Sequence, residues 1–75
     1  MRLLGPAADA AGVRAVELPG GTVGELLGMA RSRYGASFAA VVATSRIWLN
    51  GQDASADTPV EASDEVAVLP PVSGG

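Results

Sequence analysis

The last seven residues of the chain, residues 69–75 with the sequence LPPVSGG, are its best candidate for chemistry. Pro70 and Pro71 restrict φ at two successive positions and favour an extended polyproline conformation. Gly74 and Gly75 carry no Cβ atom, so the tip of this segment is thin. From Pro70 onward the segment can reach roughly 20 Å. The pattern predicts a stiff base with a slim tip that can enter a narrow tunnel in another protein.

The reactive group of such a tail would be the terminal carboxylate of Gly75. An α-carboxyl group has a pKa of about 3.3–3.7 and is ionised at neutral pH, which makes it a poor electrophile. It becomes reactive when a partner uses ATP to form an acyl-adenylate, whose carbonyl a sulfur or nitrogen nucleophile can attack. Gly75 is therefore the candidate catalytic position. The residues that would accompany it into the partner are Pro70, Pro71, Val72, Ser73 and Gly74.

The other side chains offer little catalytic chemistry. Among 75 residues there is no cysteine and no histidine, which excludes disulfides, zinc–thiolate sites, iron–sulfur clusters and the usual general base. Eight acidic residues against five arginines give a net charge of −3, which argues against nucleic acid as a partner. We expect no metal and no bound cofactor on this chain, and catalysis by its partners.

The chain shows no pattern typical of membrane insertion or export. Its longest apolar run, residues 38–43, is far shorter than the roughly 20 residues of a membrane helix. The first residues lack the apolar core of a signal peptide. We expect a soluble cytoplasmic protein.

One long helix is predicted to begin at Thr22. The sequence TVGE fits a capping box between Thr22 and Glu25. An apolar stripe at helical spacing follows, formed by Val23, Leu26, Leu27, Ala30 and Tyr34. A single helical turn before Gly12 and a short helix over residues 36–44 are also expected.

Four segments are predicted to be strands: residues 1–4, 13–18, 46–51 and 65–70. Asn50 and Gly51 form a turn signal, and residues 52–64 are polar and turn-rich. This order predicts an α+β fold, a β-grasp roll in which a mixed sheet packs on one main helix. Residues 1–69 would form that domain, and residues 70–75 a flexible reactive tail.

Alternation along two strands predicts an apolar face on the side of the sheet away from the helix. Trp48, Ala67 and Leu69 would lie there, whereas Ile47, Leu49, Val66 and Val68 would face the core. Exposed apolar patches mark interaction sites, so these three residues are candidates for binding a partner. The alternative is that Trp48 packs beneath a loop.

Residues 57–75, DTPVEASDEVAVLPPVSGG, resemble the C-terminal signature of the small subunit of molybdopterin synthase (MoaD-type). Residues 3–12 and the stretches LPGGTVGELL and WLNG are similar to the rest of that ubiquitin-like β-grasp family. In that family the first strand lies at the centre of the sheet. The corresponding strand of this chain looks a few residues short.

The resemblance implies a sulfur carrier of molybdenum cofactor biosynthesis. An E1-like adenylyltransferase would activate Gly75 with ATP, and a sulfurtransferase would convert it to a thiocarboxylate. The tail would then enter the large subunit of molybdopterin synthase, where the sulfur passes to cyclic pyranopterin monophosphate. The family's synthase is a heterotetramer of two small and two large subunits. Leu69 matches a residue that packs on this partner, and residues 70–75 match the inserted tail.

Three other functions remain open. A β-grasp sulfur carrier for thiamine or cysteine synthesis would share the terminal glycines and the adenylation. A ubiquitin-like modifier would instead be attached to lysines of other proteins, although this chain has no lysine through which it could itself be extended. A plain binding module with an inert tail is the fourth possibility.

Overall fold

The longest helix, α2 (Val23–Tyr34), begins where its local sequence predicts. The computed structural model describes residues 1–70 of the chain. Thr22 Oγ1 accepts a hydrogen bond from the Glu25 amide at 3.1 Å, and Glu25 Oε1 accepts one from the Gly21 amide at 2.9 Å. The capping box is therefore confirmed, with the carboxylate reaching the residue before the N-cap.

The apolar stripe of α2 forms one wall of the core. Its four buried residues are Val23, Leu26, Leu27 and Ala30. Tyr34 is half-buried, and its ring centroid lies 5.2 Å from that of the fully buried Phe38. Phe38 belongs to α3 (Ala36–Ala43), which confirms the predicted short helix. The predicted turn before Gly12 is also present, as the six-residue helix α1 (Pro6–Ala11) packed against α3.

A four-stranded mixed sheet packs on these helices. Its strands are β1 (Arg2–Leu3), β2 (Arg46–Leu49), β3 (Gln52–Asp53) and β4 (Val66–Leu69). The spatial order is β1-β4-β2-β3, with β1 parallel to β4 and β2 antiparallel to both of its neighbours. Asn50 and Gly51 both have positive φ, +51° and +84°, in the two-residue turn between β2 and β3. The predicted turn is confirmed.

Two strand assignments made from the sequence are wrong. Residues 13–18 form no strand; only Ala15 makes a bridge, to Arg2. The Leu3 amide donates to the Arg14 carbonyl at 2.9 Å, so the segment still runs beside β1. The pairing of residues 13–18 with β1 is limited to one bridge because β1 has only two residues before the chain turns into α1. The second error concerns residues 52–64, which were predicted to be a connection without strands but contain β3.

The short β1 lies at one end of the four-stranded order, not at the sheet centre as the family resemblance implied. It pairs with β4 on one side and contacts residues 14–16 on the other. Leu3, Val66 and Val68 are almost fully buried against the helices. Ile47 and Leu49 face the same side and are half-buried, so the predicted inward face is confirmed.

Candidate functional site

The face of the sheet opposite the helices carries Trp48, Ala67 and Leu69, as alternation predicted. Trp48 lies directly opposite Ala67 in the antiparallel pair of β2 and β4. The indole is exposed, at 37% of its full accessible area, and is not packed beneath a loop. Ala67 and Leu69 are half-buried in the strand that leads out of the sheet.

A fourth residue, Leu4, extends this surface and was missed by the sequence analysis. Its amide donates to the Val68 carbonyl at 3.1 Å, which continues the parallel pairing of Leu3 with Val68. Leu4 therefore lies beside Leu69, and 40% of it is exposed. Its signal was available, because Leu4 follows the inward Leu3 in an alternating strand. We call Leu4, Trp48, Ala67 and Leu69 together the outer apolar face.

Charged side chains form hydrogen-bonded pairs along two sides of the outer apolar face. Asp53, directly opposite Trp48 across β2 and β3, accepts from the indole Nε1 at 3.1 Å. The same carboxylate accepts from Arg46 Nη2 at 3.1 and 3.3 Å. Arg2 Nη1 donates to Glu65 Oε1 at 3.3 Å on another side. Exposed ion pairs of this kind contribute roughly 0–1 kcal/mol, so their main effect is to set the charge around the face.

Pro70, the first residue of the predicted tail, follows the outer apolar face directly. It is exposed and lies beside Gly5, where a Cβ atom would be 3.5 Å from Cγ of Pro70. Gly5 has a φ of +56° and lies in the turn between β1 and α1. The remaining predicted tail residues lie outside the described residues; they are Pro71, Val72, Ser73, Gly74 and Gly75. The structure thus brings together Trp48, Ala67, Leu69 and Pro70.

Asp64 organises the loop that leads into β4. Its carboxylate accepts from the Glu61 amide at 2.8 Å and from Asn50 Nδ2 at 3.0 Å. The Glu61 amide first, and then the Asn50 side chain, lower the pKa of the Asp64 carboxyl below its ordinary value. Asn50 Oδ1 also accepts from the Glu65 amide at 2.9 Å. These bonds tie the β2–β3 turn to the start of β4 and so support the outer apolar face.

Two kinds of feature are absent from residues 1–70, a cluster of metal-ligating side chains and a membrane-spanning helix. Within residues 1–70, no group of three His, Cys, Asp or Glu side chains is placed to hold a metal ion. No helix in that same part of the chain is both long enough and apolar enough to cross a membrane.

Comparison with known proteins gives one family match. The model of the ThiS family matches residues 1–75. Among curated protein sequences, no relative matches the chain.

Solved structures give matches over nearly the whole chain. The structure of SAMP1 from Haloferax volcanii is 31% identical, with a TM-score of 0.77 over 99% of this chain and 94% of that one. The BexX/CysO complex from Amycolatopsis orientalis contains a chain that is 24% identical, with a TM-score of 0.75 over 97% of each. The complex of subunits 1 and 2 of molybdopterin-converting factor from Helicobacter pylori 26695 matches at 23% identity and a TM-score of 0.72, over 99% and 93%. These similarities confirm the predicted α+β, ubiquitin-like β-grasp fold.

Proposed function

This chain belongs to the ThiS family, whose members are ubiquitin-like β-grasp sulfur carriers or modifiers, and we propose that it is the sulfur carrier of molybdopterin synthesis. One observation carries the proposal. The outer apolar face continues along β4 from Ala67 to Leu69 and meets the exposed Pro70, where the segment PPVSGG begins. A docking surface is thus joined to the base of the candidate reactive tail.

The proposed chemistry takes place at the Gly75 carboxylate. An E1-like adenylyltransferase uses ATP to form the acyl-adenylate and releases pyrophosphate. The persulfide of a sulfurtransferase then attacks the same carbonyl, AMP leaves, and a thiol reduces the resulting acyl disulfide to release the Gly75 thiocarboxylate. The chain itself binds no cofactor in this scheme. We place it in the cytoplasm, together with these partners.

The outer apolar face would dock on the large subunit of molybdopterin synthase. Leu69 and Trp48 contact that subunit, and residues 70–75 enter its active site, where the sulfur passes to cyclic pyranopterin monophosphate. Two small and two large subunits would form the heterotetramer. The fold shared with a chain in the complex of subunits 1 and 2 of molybdopterin-converting factor supports this assembly.

The decisive experiment is intact-mass analysis of the chain ending at Gly75. The protein is incubated with the E1-like adenylyltransferase, ATP and a sulfur donor, and the expected product has one oxygen replaced by sulfur at Gly75. Addition of the large subunit and cyclic pyranopterin monophosphate should restore the original mass as molybdopterin forms. An unchanged mass with active partners would contradict the sulfur-carrier function.

A ubiquitin-like modifier is the second candidate, favoured by the 31% identity to SAMP1, a small archaeal modifier protein. In that case Gly75 would form an isopeptide bond with lysines of other proteins. Tryptic peptides carrying a C-terminal remnant of this chain on lysine would support that function. A thiocarboxylate that reacts only with a thiamine or cysteine precursor would instead support a carrier of another pathway.

A further inference from the structure

The Asp53 carboxylate accepts hydrogen bonds from two side chains: Trp48, which belongs to the outer apolar face, and Arg46, which lies beside it. Its Oδ1 accepts from Trp48 Nε1 at 3.1 Å, and both carboxylate oxygens lie within 3.3 Å of Arg46 Nη2. Trp48 and Asp53 are direct partners across β2 and β3, and Arg46 precedes Trp48 by two residues on the same side of the strand. We propose that Asp53 is a positioning residue that holds the Trp48 indole ready to dock on the large subunit. This inference rests on the proposed function.

The first reason is the indole N–H of Trp48. A tryptophan that becomes buried in an interface needs an acceptor for this group, because a buried donor without a partner is destabilising. Asp53 supplies that acceptor from within the same chain. The large subunit can therefore cover Trp48 with apolar side chains alone.

The second reason is charge. A carboxylate at the edge of an interface is costly to desolvate unless a cation accompanies it. Arg46 provides the cation, since its guanidinium contacts Asp53 at 3.1 Å. Trp48, Asp53 and Arg46 thus form a unit with no net charge and with its internal hydrogen bonds already made.

The third reason is the placement of Asp53 by the hairpin. β3 has only two residues, and the turn at Asn50 and Gly51 sets its register against β2. A shift of one residue would move Asp53 to the other face of the sheet and leave the indole without its acceptor. Fixing a side chain before association removes part of the ordering entropy, an effect worth about fivefold in affinity for one large side chain.

The first arm of the test uses the isolated protein. Trp48 is the one tryptophan of the chain, so time-resolved fluorescence anisotropy reports on its indole alone. We expect Asp53→Ala to increase the amplitude of fast indole motion, and Asp53→Asn to increase it less because an amide oxygen remains. The control Asp57→Ala removes the same charge from an exposed loop position beside α2 and should leave the anisotropy unchanged. Equal indole motion in Asp53→Ala and the unaltered protein would overturn the inference.

The second arm measures the Kd for the large subunit of molybdopterin synthase by titration calorimetry. Asp53→Ala should weaken binding about fivefold, Asp57→Ala should not, and the effect of Asp53→Ala should shrink in a Trp48→Phe background. Thermal unfolding of each variant shows whether the hairpin itself has been lost, and Asp53→Asn keeps the test valid if Asp53→Ala unfolds. If the unaltered protein binds and Asp53→Ala binds equally well, this inference alone is overturned. If the unaltered protein does not bind, the proposed function fails and the inference fails with it.

Discussion

Leu4 lies beside Leu69 on the face of the sheet that the helices leave uncovered. The two residues are 65 positions apart in sequence, and the parallel pairing of β1 with β4 brings them together. Pro70 follows Leu69 directly in the chain. The two leucines of the outer apolar face therefore adjoin the base of the candidate tail. A partner that receives the tail must therefore approach closely to both leucines.

Leu4→Asp and Leu69→Asp should each weaken binding of the large subunit about tenfold or more. Each substitution places a carboxylate in an apolar surface, where docking would desolvate it, and Arg46, directly opposite Leu69, is already paired with Asp53. The fold should survive, because Leu4 is exposed and Leu69 is half-buried. Calorimetric titration measures the Kd, and circular dichroism checks the fold.

Met29→Asp is the matched control for this prediction. Met29 is 45% exposed on α2, away from the outer apolar face, so the same change in charge and polarity should leave the Kd unaltered. Unchanged affinity in Leu4→Asp and Leu69→Asp, or an equal loss in Met29→Asp, would contradict the assignment of the docking surface.

Addition of one alanine after Gly75 should abolish sulfur loading and leave the melting temperature nearly unchanged. The reactive carboxylate would then belong to alanine, whose Cβ atom is expected to hinder the close approach that glycine permits. Intact-mass analysis after incubation with the E1-like adenylyltransferase, ATP and a sulfur donor measures the loading. Replacement of Gly28 by alanine, where the nearest atom to the added Cβ is 4.0 Å away, controls for a general effect of mutation on loading. Full loading of the extended chain would show that Gly75 need not be terminal.

Gly24→Ala and Gly28→Ala should change stability in opposite directions. A Cβ atom at Gly24 would lie 3.0 Å from the backbone oxygen of Ala56, so the loop must shift, at a cost of about 1–3 kcal/mol. At Gly28 the nearest atom is 4.0 Å away, at the end of the flexible Arg31 side chain. Alanine there should stabilise α2 by up to about 1 kcal/mol. Urea unfolding measures both, and a shift of the same sign in the two variants would contradict the packing described for Gly24.

Asp64→Ala should destabilise the protein at neutral pH, and this difference should shrink in acid. The folded-state pKa of Asp64 is lowered by the Glu61 amide and then by Asn50. A lowered pKa means that the carboxylate stabilises the fold above its unfolded-state pKa of about 3.9, and that this contribution is lost as the pH falls through the folded-state value. Melting temperatures of both proteins along a pH series test the convergence.

Glu61→Gln provides the control for the Asp64 prediction. It removes a carboxylate from the same loop but keeps the backbone amide that donates to Asp64 at 2.8 Å. The effect of Asp64→Ala should therefore persist, with the same pH dependence, in a Glu61→Gln background. A difference between Asp64→Ala and the unaltered protein that did not vary with pH would contradict the role of the carboxylate.

The sequence by itself determined the features whose partners lie close together in the chain. Thr22 and Glu25 are three residues apart, and the capping box they form could be predicted from that spacing. The turn at Asn50 and Gly51 required two residues that tolerate positive φ. Alternation assigned Val68 to the core and Trp48 to the outer face, because successive side chains of a strand point to opposite sides.

Only the tertiary structure decided which distant segments pair. Alternation alone made residues 13–18 look like a strand, yet in the folded protein only Ala15 pairs, through an isolated bridge to Arg2. β3 was missed because its two residues lie in a polar, turn-rich segment and become a strand only by pairing with β2. The contact of Asp53 with Trp48 follows from the register that the turn at Asn50 and Gly51 sets, and it became visible only once residues 52–53 were known to form a strand.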